Sequence, residues 1–217
     1  MKTNVYVDGF NFYYGVLRGT PHRWLDLSNF CRQILPNNQI ERINYYTARV
    51  GATLTDPQQP VRQQTYLRAL ATLPDVSVIL GTFLSHRVRM PQADPSVRTP
   101  TPLYNPSGRP QMIEVIKTAE KGSDVNLATH LLRDAFRNDY DIAIVVSNDS
   151  DLLEPIKIVR TDLGKKVGLL NPHKHPSLVL VSNADFVRTI RRSVLAASQF
   201  PPSLTDANGT FHKPPVW

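Results

Sequence analysis

The chain has 217 residues, of which 41% are hydrophobic and 20% are charged, a composition that supports one folded domain with a substantial core. A net charge of +7 at pH 7 favours partners that are polyanions. The sequence has no apolar stretch of the roughly 18–20 residues that a membrane span needs. No apolar leader segment is expected either. One cysteine excludes an internal disulfide, and a cytoplasmic protein with no membrane partner is expected.

Strand and helix patterns alternate along the first 84 residues. Short runs rich in Val, Ile and Tyr predict strands, whereas apolar residues three and four positions apart predict helices. In chain order, the predicted elements are a strand over 2–8, helices over 10–17 and 24–35, a strand over 40–50, a helix over 58–73 and a strand over 76–84.

The alternation is interrupted at residues 91–110, which hold many of the 18 prolines. Proline removes a backbone donor and restricts φ, so this insertion predicts a loop or a mobile flap. An extended segment over 111–120 follows it. The alternation then resumes with a helix over 123–138, a strand over 141–147, a helix over 151–164, a strand over 165–171 and one or two helices over 177–199.

Several of the predicted strands are apolar on both faces. Strands of this kind, alternating with helices, predict an α/β fold with a central, mostly parallel sheet of five or six strands and helices on both faces. The domain is expected to span residues 1–199. Residues 200–217 are rich in proline and polar residues and predict a loosely held tail.

Carboxylates stand at the ends of predicted strands and the starts of helices. Asp8 ends the first strand, Asp149 and Asp151 follow the buried strand in the sequence VVSNDSDL, and Asp124 begins a helix. If the first and fourth strands are neighbours, Asp8 and Asp149 face one crevice at the carboxyl ends of the sheet. Each acid has a structural alternative, since Asp8 suits a turn and Asp124 and Asp151 suit helix caps.

Acids that converge on one pocket indicate a cation. Two like charges ~4 Å apart repel by roughly 4 kcal/mol at an effective dielectric constant near 20. Hard oxygen ligands favour Mg²⁺ or Mn²⁺ over zinc. An acidic metal site in a basic protein predicts a phosphodiester substrate, whose backbone the basic surface would hold.

Other polar residues near these acids are candidates for substrate contacts. Asn11 and Asn148 flank the acids and could orient water or a phosphate oxygen, or form caps and turns. Lys121, His173 and Lys174 could contact phosphate, or be solvated loop residues. Four tyrosines are candidates for stacking on bases, with core packing as the alternative: Tyr13, Tyr14, Tyr45 and Tyr46.

Five segments together resemble the NYN family of PIN-like nucleases, in its LabA-like branch. They are YVDGFNFYYG (6–15), WLDL (24–27), YYTAR (45–49), EKGSDVNLATHLLRDA (120–135) and YDIAIVVSNDSDLLEPI (140–156). The resemblance implies a PIN-like fold and endoribonuclease activity on single-stranded or structured RNA. It also implies a divalent-metal site built from Asp8, Asp124, Asp149 and Asp151, with Asn11 beside them.

Two other interpretations differ in class. One is an RNA- or partner-binding module with weak or no activity, which Ala119 favours because an acid often stands there in the family. Homodimerisation is left open. The other is a phosphatase of the haloacid-dehalogenase type, but these enzymes place D-x-D after the first strand, and here Gly9 and Phe10 follow Asp8. Neither a P-loop nor a GxGxxG motif is present, so use of a nucleoside triphosphate or dinucleotide is not supported.

Overall fold

The computed structural model describes residues 1–217. The chain forms two compact units, of which the first comprises residues 1–82 and 122–217 and the second comprises residues 83–121. The second unit contains the proline-rich insertion but begins earlier and ends later than the sequence predicted. No helix is long and apolar enough to cross a membrane.

Nine strands are formed: β1 Lys2–Asp8, β2 Gln39–Ala48, β3 Val76–Pro91, β4 Met112–Lys121, β5 Ile142–Val146, β6 Lys166–Asn171, β7 Phe186–Thr189, β8 Ser203–Asp206 and β9 Gly209–His212. Seven α-helices are formed: α1 Gly9–Phe12, α2 Leu27–Ile34, α3 Gln59–Leu70, α4 Ser123–Phe136, α5 Leu153–Thr161, α6 Leu178–Ser182 and α7 Arg192–Ala197. A π-helical turn over Tyr13–Leu17 follows α1, and a 3₁₀ turn over Ser150–Leu152 precedes α5.

Seven strands form one sheet in the order β4-β3-β2-β1-β5-β6-β7. β1 pairs in parallel with β2 on one side and with β5 on the other. The connections run outwards from β1 in both directions, so the sheet has its switch point between β1 and β5. The α/β class, the mostly parallel sheet and the adjacency of β1 and β5 are therefore confirmed.

The sheet has one or two strands more than the sequence predicted. β7 was expected to be part of a helix over 177–199, and that prediction is wrong for Phe186–Thr189. The strand has only four residues and pairs in parallel with β6, as in the match of Leu169 with Val187. Such a short run shows no clear period, so pairing with a neighbour decides its conformation.

The second unit is built around a hairpin of β3 and β4. β3 continues to Pro91 rather than ending at residue 84. The hydroxyls of Ser85 and Thr118 lie 2.7 Å apart across the two strands. Beyond them, the Gln92 amide donates to the Gln111 carbonyl at 2.8 Å. The stretch predicted as a loop or flap is therefore the turn region of this hairpin.

Residues 200–217 are held more firmly than the sequence predicted. They contain the antiparallel pair β8 and β9, and the side chains of Phe200 and Phe211 are buried in the core. Arg68 on α3 donates to both carboxylate oxygens of Asp206, at 2.7 and 2.6 Å. The two aromatic side chains anchor a segment whose average composition is polar.

Helix α4 is fixed to β1 by a buried polar contact. The hydroxyl of Tyr6 on β1 donates to Asp134 Oδ2 at 2.8 Å, and both side chains have no exposed surface. Arg133 donates to the other carboxylate oxygen of Asp134 at 2.7 Å. Burial, with the nearby Tyr140 and Asp134, raises the pKa of Tyr6, so its hydroxyl stays protonated as a donor.

Replacing the donor in this contact should loosen α4. We expect Tyr6→Phe to lower the free energy of unfolding by about 1–3 kcal/mol, because Asp134 would keep a buried oxygen without its partner. Urea denaturation measures the loss. Tyr104→Phe is the matched control, since the Tyr104 side chain is 55% exposed, and it should leave stability unchanged. Equal stability of the two variants would contradict the anchoring role.

Candidate active site at the carboxyl end of the sheet

Asp8 is a buried carboxylate at the end of β1. Its Oδ1 accepts a hydrogen bond from the Asn11 amide at 2.9 Å and so caps α1. Its Oδ2 accepts from the hydroxyl of Ser147 at 2.9 Å, across from the end of β5. Only 5% of the Asp8 surface is exposed. Asp8 is thus a helix cap, where the structural alternative expected a turn residue, and it is also a member of a polar cluster between two strands.

Ser147 connects Asp8 to Asp149. The Ser147 hydroxyl accepts from the Asp149 amide at 3.0 Å while it donates to Asp8. Burial raises the pKa of Asp8, hydrogen bonds from Asn11 and Ser147 oppose the shift, and the charge of Asp149 adds to it. The structure therefore brings together the two acids that the sequence placed at neighbouring strand ends.

The other two predicted acids are exposed at the starts of helical segments. Asp149 Oδ1 accepts from the Asp151 amide at 3.0 Å and caps the 3₁₀ turn, while the Asp151 side chain is exposed. Asp124 is exposed in the first turn of α4. No group of three or more His, Cys, Asp or Glu side chains is placed to hold a metal ion. The donors fit Mg²⁺ in chemical type, and hydrogen bonds through Ser147 link two of them, Asp8 and Asp149.

The two asparagines have different surroundings. Asn11 Oδ1 accepts from the Asn148 amide at 3.0 Å, which joins α1 to the loop after β5, while no hydrogen bond within the protein uses the side-chain nitrogen of Asn11. Asn148 uses both side-chain atoms, since its Nδ2 donates to the His175 carbonyl at 3.1 Å and its Oδ1 accepts from the Ser177 amide at 2.6 Å. Asn11 therefore has a donor left for a ligand, and Asn148 positions the loop after β6.

The predicted basic contacts lie in two places. His173 and Lys174 are in the loop after β6, at the same edge of the sheet as Asp8. The Asn171 side chain forms two hydrogen bonds with the backbone of His173: it accepts from the His173 amide at 3.2 Å and donates to the His173 carbonyl at 2.7 Å. Lys174 is exposed. Lys121 ends β4 and belongs to the second unit.

Sequence reasoning missed Ser147. The residue is completely buried, and its hydroxyl donates to the Asp8 carboxylate and accepts from the Asp149 backbone amide. The signal available was its position, because a small hydroxyl residue stands between the apolar strand and the acids in VVSNDSDL. Serine in such a place also suits a turn, so sequence alone does not separate the two roles.

Gly9 allows the chain to leave β1 close to β2. A Cβ atom at this position would lie 2.6 Å from the Tyr46 carbonyl oxygen and 2.7 Å from Cζ of Tyr45. The first of these is a backbone atom of the neighbouring strand, which cannot move without disturbing the sheet. A glycine directly after Asp8 is therefore a packing requirement of the site.

Fold and site together define a nuclease-like α/β domain with acids at its switch point. The model of the NYN domain family matches residues 95–191, which include Asp124, Asp149 and Asp151. The whole chain is similar to the 6-hydroxy-3-succinoylpyridine 3-monooxygenase HspA of Pseudomonas putida, with 31% identity over 244 residues that cover 100% of this chain and 75% of that protein. The chain belongs to the NYN domain family.

A solved structure shares the fold. It is a protein of unknown function, VPA0982 from Vibrio parahaemolyticus, with a TM-score of 0.55 and 19% identity, covering 88% of this chain and 93% of the other. The resemblance to NYN proteins seen in the sequence is thus confirmed, and the LabA-like branch stays a prediction.

The packing of Gly9 can be tested by adding one carbon atom. We expect Gly9→Ala to lower the free energy of unfolding by about 1–3 kcal/mol, because the methyl group would overlap the β2 backbone. Thermal and urea unfolding measure the change. Gly51→Ala is the control, since a Cβ there meets no atom within 4 Å. A Gly9→Ala protein as stable as Gly51→Ala would contradict the close approach.

Proposed function

We propose that the chain is a divalent-metal-dependent endoribonuclease whose reaction takes place at the carboxyl ends of β1 and β5. The observation that carries the proposal is the cluster of Asp8, Ser147 and Asp149 at the switch point of a NYN domain. In open α/β sheets, this crevice is where ligands bind. The net charge of +7 suits a polyanionic substrate.

The acids would hold the metal. Asp8 and Asp149 are the pair already assembled, and Asp124 and Asp151 are the side chains that would complete the ligand set. A bound Mg²⁺ or Mn²⁺ supplies stabilisation of charge on the phosphate and a more acidic water. A cation also suits the pair itself, because a buried carboxylate beside a second carboxylate is costly without an opposite charge.

The chain's own groups orient the reactants. Ser147 holds the Asp8 carboxylate in place by donating to one oxygen, and the Asn11 amide holds the other. The unused side-chain nitrogen of Asn11 is a donor for a phosphate oxygen. The loop after β6, which Asn148 fixes, carries Lys174 as a cation for the RNA backbone.

Replacing one acid separates catalysis from folding. We expect Asp149→Asn to reduce the rate of RNA cleavage with Mg²⁺ or Mn²⁺ by at least about 100-fold. A loss of this size is typical when a group that stabilises charge in the transition state is removed. Single-stranded and structured RNA are assayed separately. Asp139→Asn, at the opposite end of β5, is the matched control and should cleave as the wild type does. Chelator should abolish cleavage.

The same variant reports on stability. Asparagine at position 149 can still accept from the Asp151 amide, and it removes the charge next to Asp8, so the melting temperature without metal should not fall. Cleavage that persists in Asp149→Asn or in chelator would contradict the mechanism. RNA binding without cleavage under every condition would instead favour the binding module.

The similarity to HspA over the whole chain favours a second candidate, oxygenation of an aromatic acid. The name of that relative describes a monooxygenase acting on 6-hydroxy-3-succinoylpyridine. The test incubates the protein with that compound, O₂ and a two-electron reductant, and follows its ultraviolet absorbance. Consumption that needs the protein, together with no RNA cleavage, would replace the nuclease proposal with this one.

A further inference from the structure

A cavity of about 370 Å³ opens beside Gly9 in the first unit. Its volume is in the range of sites for small molecules, about 300–1,000 Å³. Aromatic rings form much of its wall: Tyr13, Tyr14, Tyr45, Tyr66 and Trp217. Tyr45 and Tyr66 are buried in the core, whereas 52% of the Tyr14 surface is exposed. The cavity therefore offers flat apolar faces to a planar group, with Tyr14 as its accessible wall.

Arginine side chains give the cavity a positive charge. Arg62 is neutralised by an ion pair with Asp56. Arg18 forms no ion pair, and its guanidinium lies 5.3 Å from the centre of the Tyr14 ring. Arg23 has no carboxylate partner, but it donates to the carbonyl oxygens of Thr20 at 3.0 Å and Val216 at 2.5 Å, and it lies 5.7 Å from the centre of the Trp217 ring. An occupant is therefore expected to be aromatic and to carry, or be attached to, an anion.

A second cavity of about 290 Å³ is basic. Arg18, His173, Lys174 and Arg192 line it, and no acidic side chain does. None of these four residues takes part in an ion pair. Guanidinium and ammonium groups gathered without carboxylates are typical of phosphate sites.

The π-helical turn over Tyr13–Leu17 connects the two cavities. Tyr13 and Tyr14 line the aromatic cavity, Gly15 lines the basic one, and Arg18 lines both. A Cβ atom on Gly15 would lie 2.7 Å from the Pro172 carbonyl oxygen, so this turn packs directly on the loop after β6. π-Helical turns are rare and frequently occur at functional sites.

We propose that the two cavities form one nucleotide subsite for single-stranded RNA. The base stacks in the aromatic cavity against Tyr14, the adjoining phosphate occupies the basic cavity, and Arg18 contacts both. This inference rests on the proposed nuclease function and extends it. Gly9 lines the aromatic cavity directly after Asp8, so a nucleotide held here lies next to the phosphodiester that the acids would act on.

A strand of RNA matches this pair of cavities better than a free aromatic acid does. One carboxylate would satisfy one guanidinium, whereas the basic cavity presents several cations on the far side of the π-helical turn. A base joined to a phosphate places an aromatic ring and an anion in adjacent positions. Stacking on aromatic side chains accepts every base, so the subsite would set the position of the strand rather than its sequence.

Binding in chelator tests the subsite without any cleavage. The probe is a fluorescently labelled single-stranded RNA, and its dissociation constant is measured by anisotropy at fixed salt. We expect Tyr14→Ala to weaken binding by about 5- to 100-fold, as for the loss of one stacked base, and Tyr14→Phe to bind as the wild type does. Tyr104→Ala, with 55% exposure in the second unit, is the matched control and should not change binding.

A backbone lacking bases separates stacking from charge. For an abasic strand of the same length, Tyr14→Ala should bind as the wild type does. Arg18→Ala should weaken binding of both strands and lower the slope of log K against log salt by about one. Melting temperatures of the variants should equal that of the wild type, because Tyr14 and Arg18 are exposed.

The outcomes distinguish this inference from the proposal on which it rests. Wild-type affinity of Tyr14→Ala, or an equal loss on RNA and on the abasic strand, overturns the subsite while metal-dependent cleavage can persist. If the protein neither binds nor cleaves RNA, the subsite and the nuclease proposal are both overturned. Binding of a free pyridine carboxylate that Tyr14→Ala abolishes, with no RNA binding, overturns the subsite and assigns the cavity to a small molecule.

Discussion

The hydroxyl of Ser147 is the contact on which the candidate site depends. It donates to Asp8 and accepts from the Asp149 amide, so one oxygen atom joins the ends of two central strands. A buried carboxylate is tolerated only when donors satisfy it, and the donors to Asp8 include the Ser147 hydroxyl and the Asn11 amide. The site is therefore part of the packing of the sheet and not a feature added to its surface.

The parallel sheet decides where this contact forms. Because connections leave β1 in both directions, the loops after β1 and β5 diverge and open a crevice between them. Asp8 ends β1 and Asp149 follows β5 at this edge of the sheet, while cations of the loop after β6 and of the residue that follows the π-helical turn line the basic cavity. The acids and the basic cavity are thus separate groups of side chains: in the proposed reaction, the acids would activate a phosphodiester and the basic cavity would hold it. Membership of the NYN domain family agrees with this arrangement.

Prediction from sequence succeeded where a residue pattern was long and regular. The buried run before Asp149 and the apolar face of α4 left few alternatives, and both elements were found close to their true ends. Prediction from sequence failed for β7, which has four residues. It also failed for residues 200–217, where two buried aromatic side chains hold a segment whose composition is mostly polar. In both cases, contacts with residues far away in the chain stabilise a segment whose local preference is weak.

The sequence by itself determined the class of fold, the family and the identity of the acids at the strand ends, because period, polarity and motif order are local properties. Only the tertiary structure decided that Asp8 and Asp149 share one hydroxyl, that Asp124 and Asp151 remain exposed, and that Arg18 borders two cavities. These relations depend on spatial distances between segments that are far apart in the sequence, such as β1 and β5. Such distances follow from how helices and strands pack, which no local pattern of residues records.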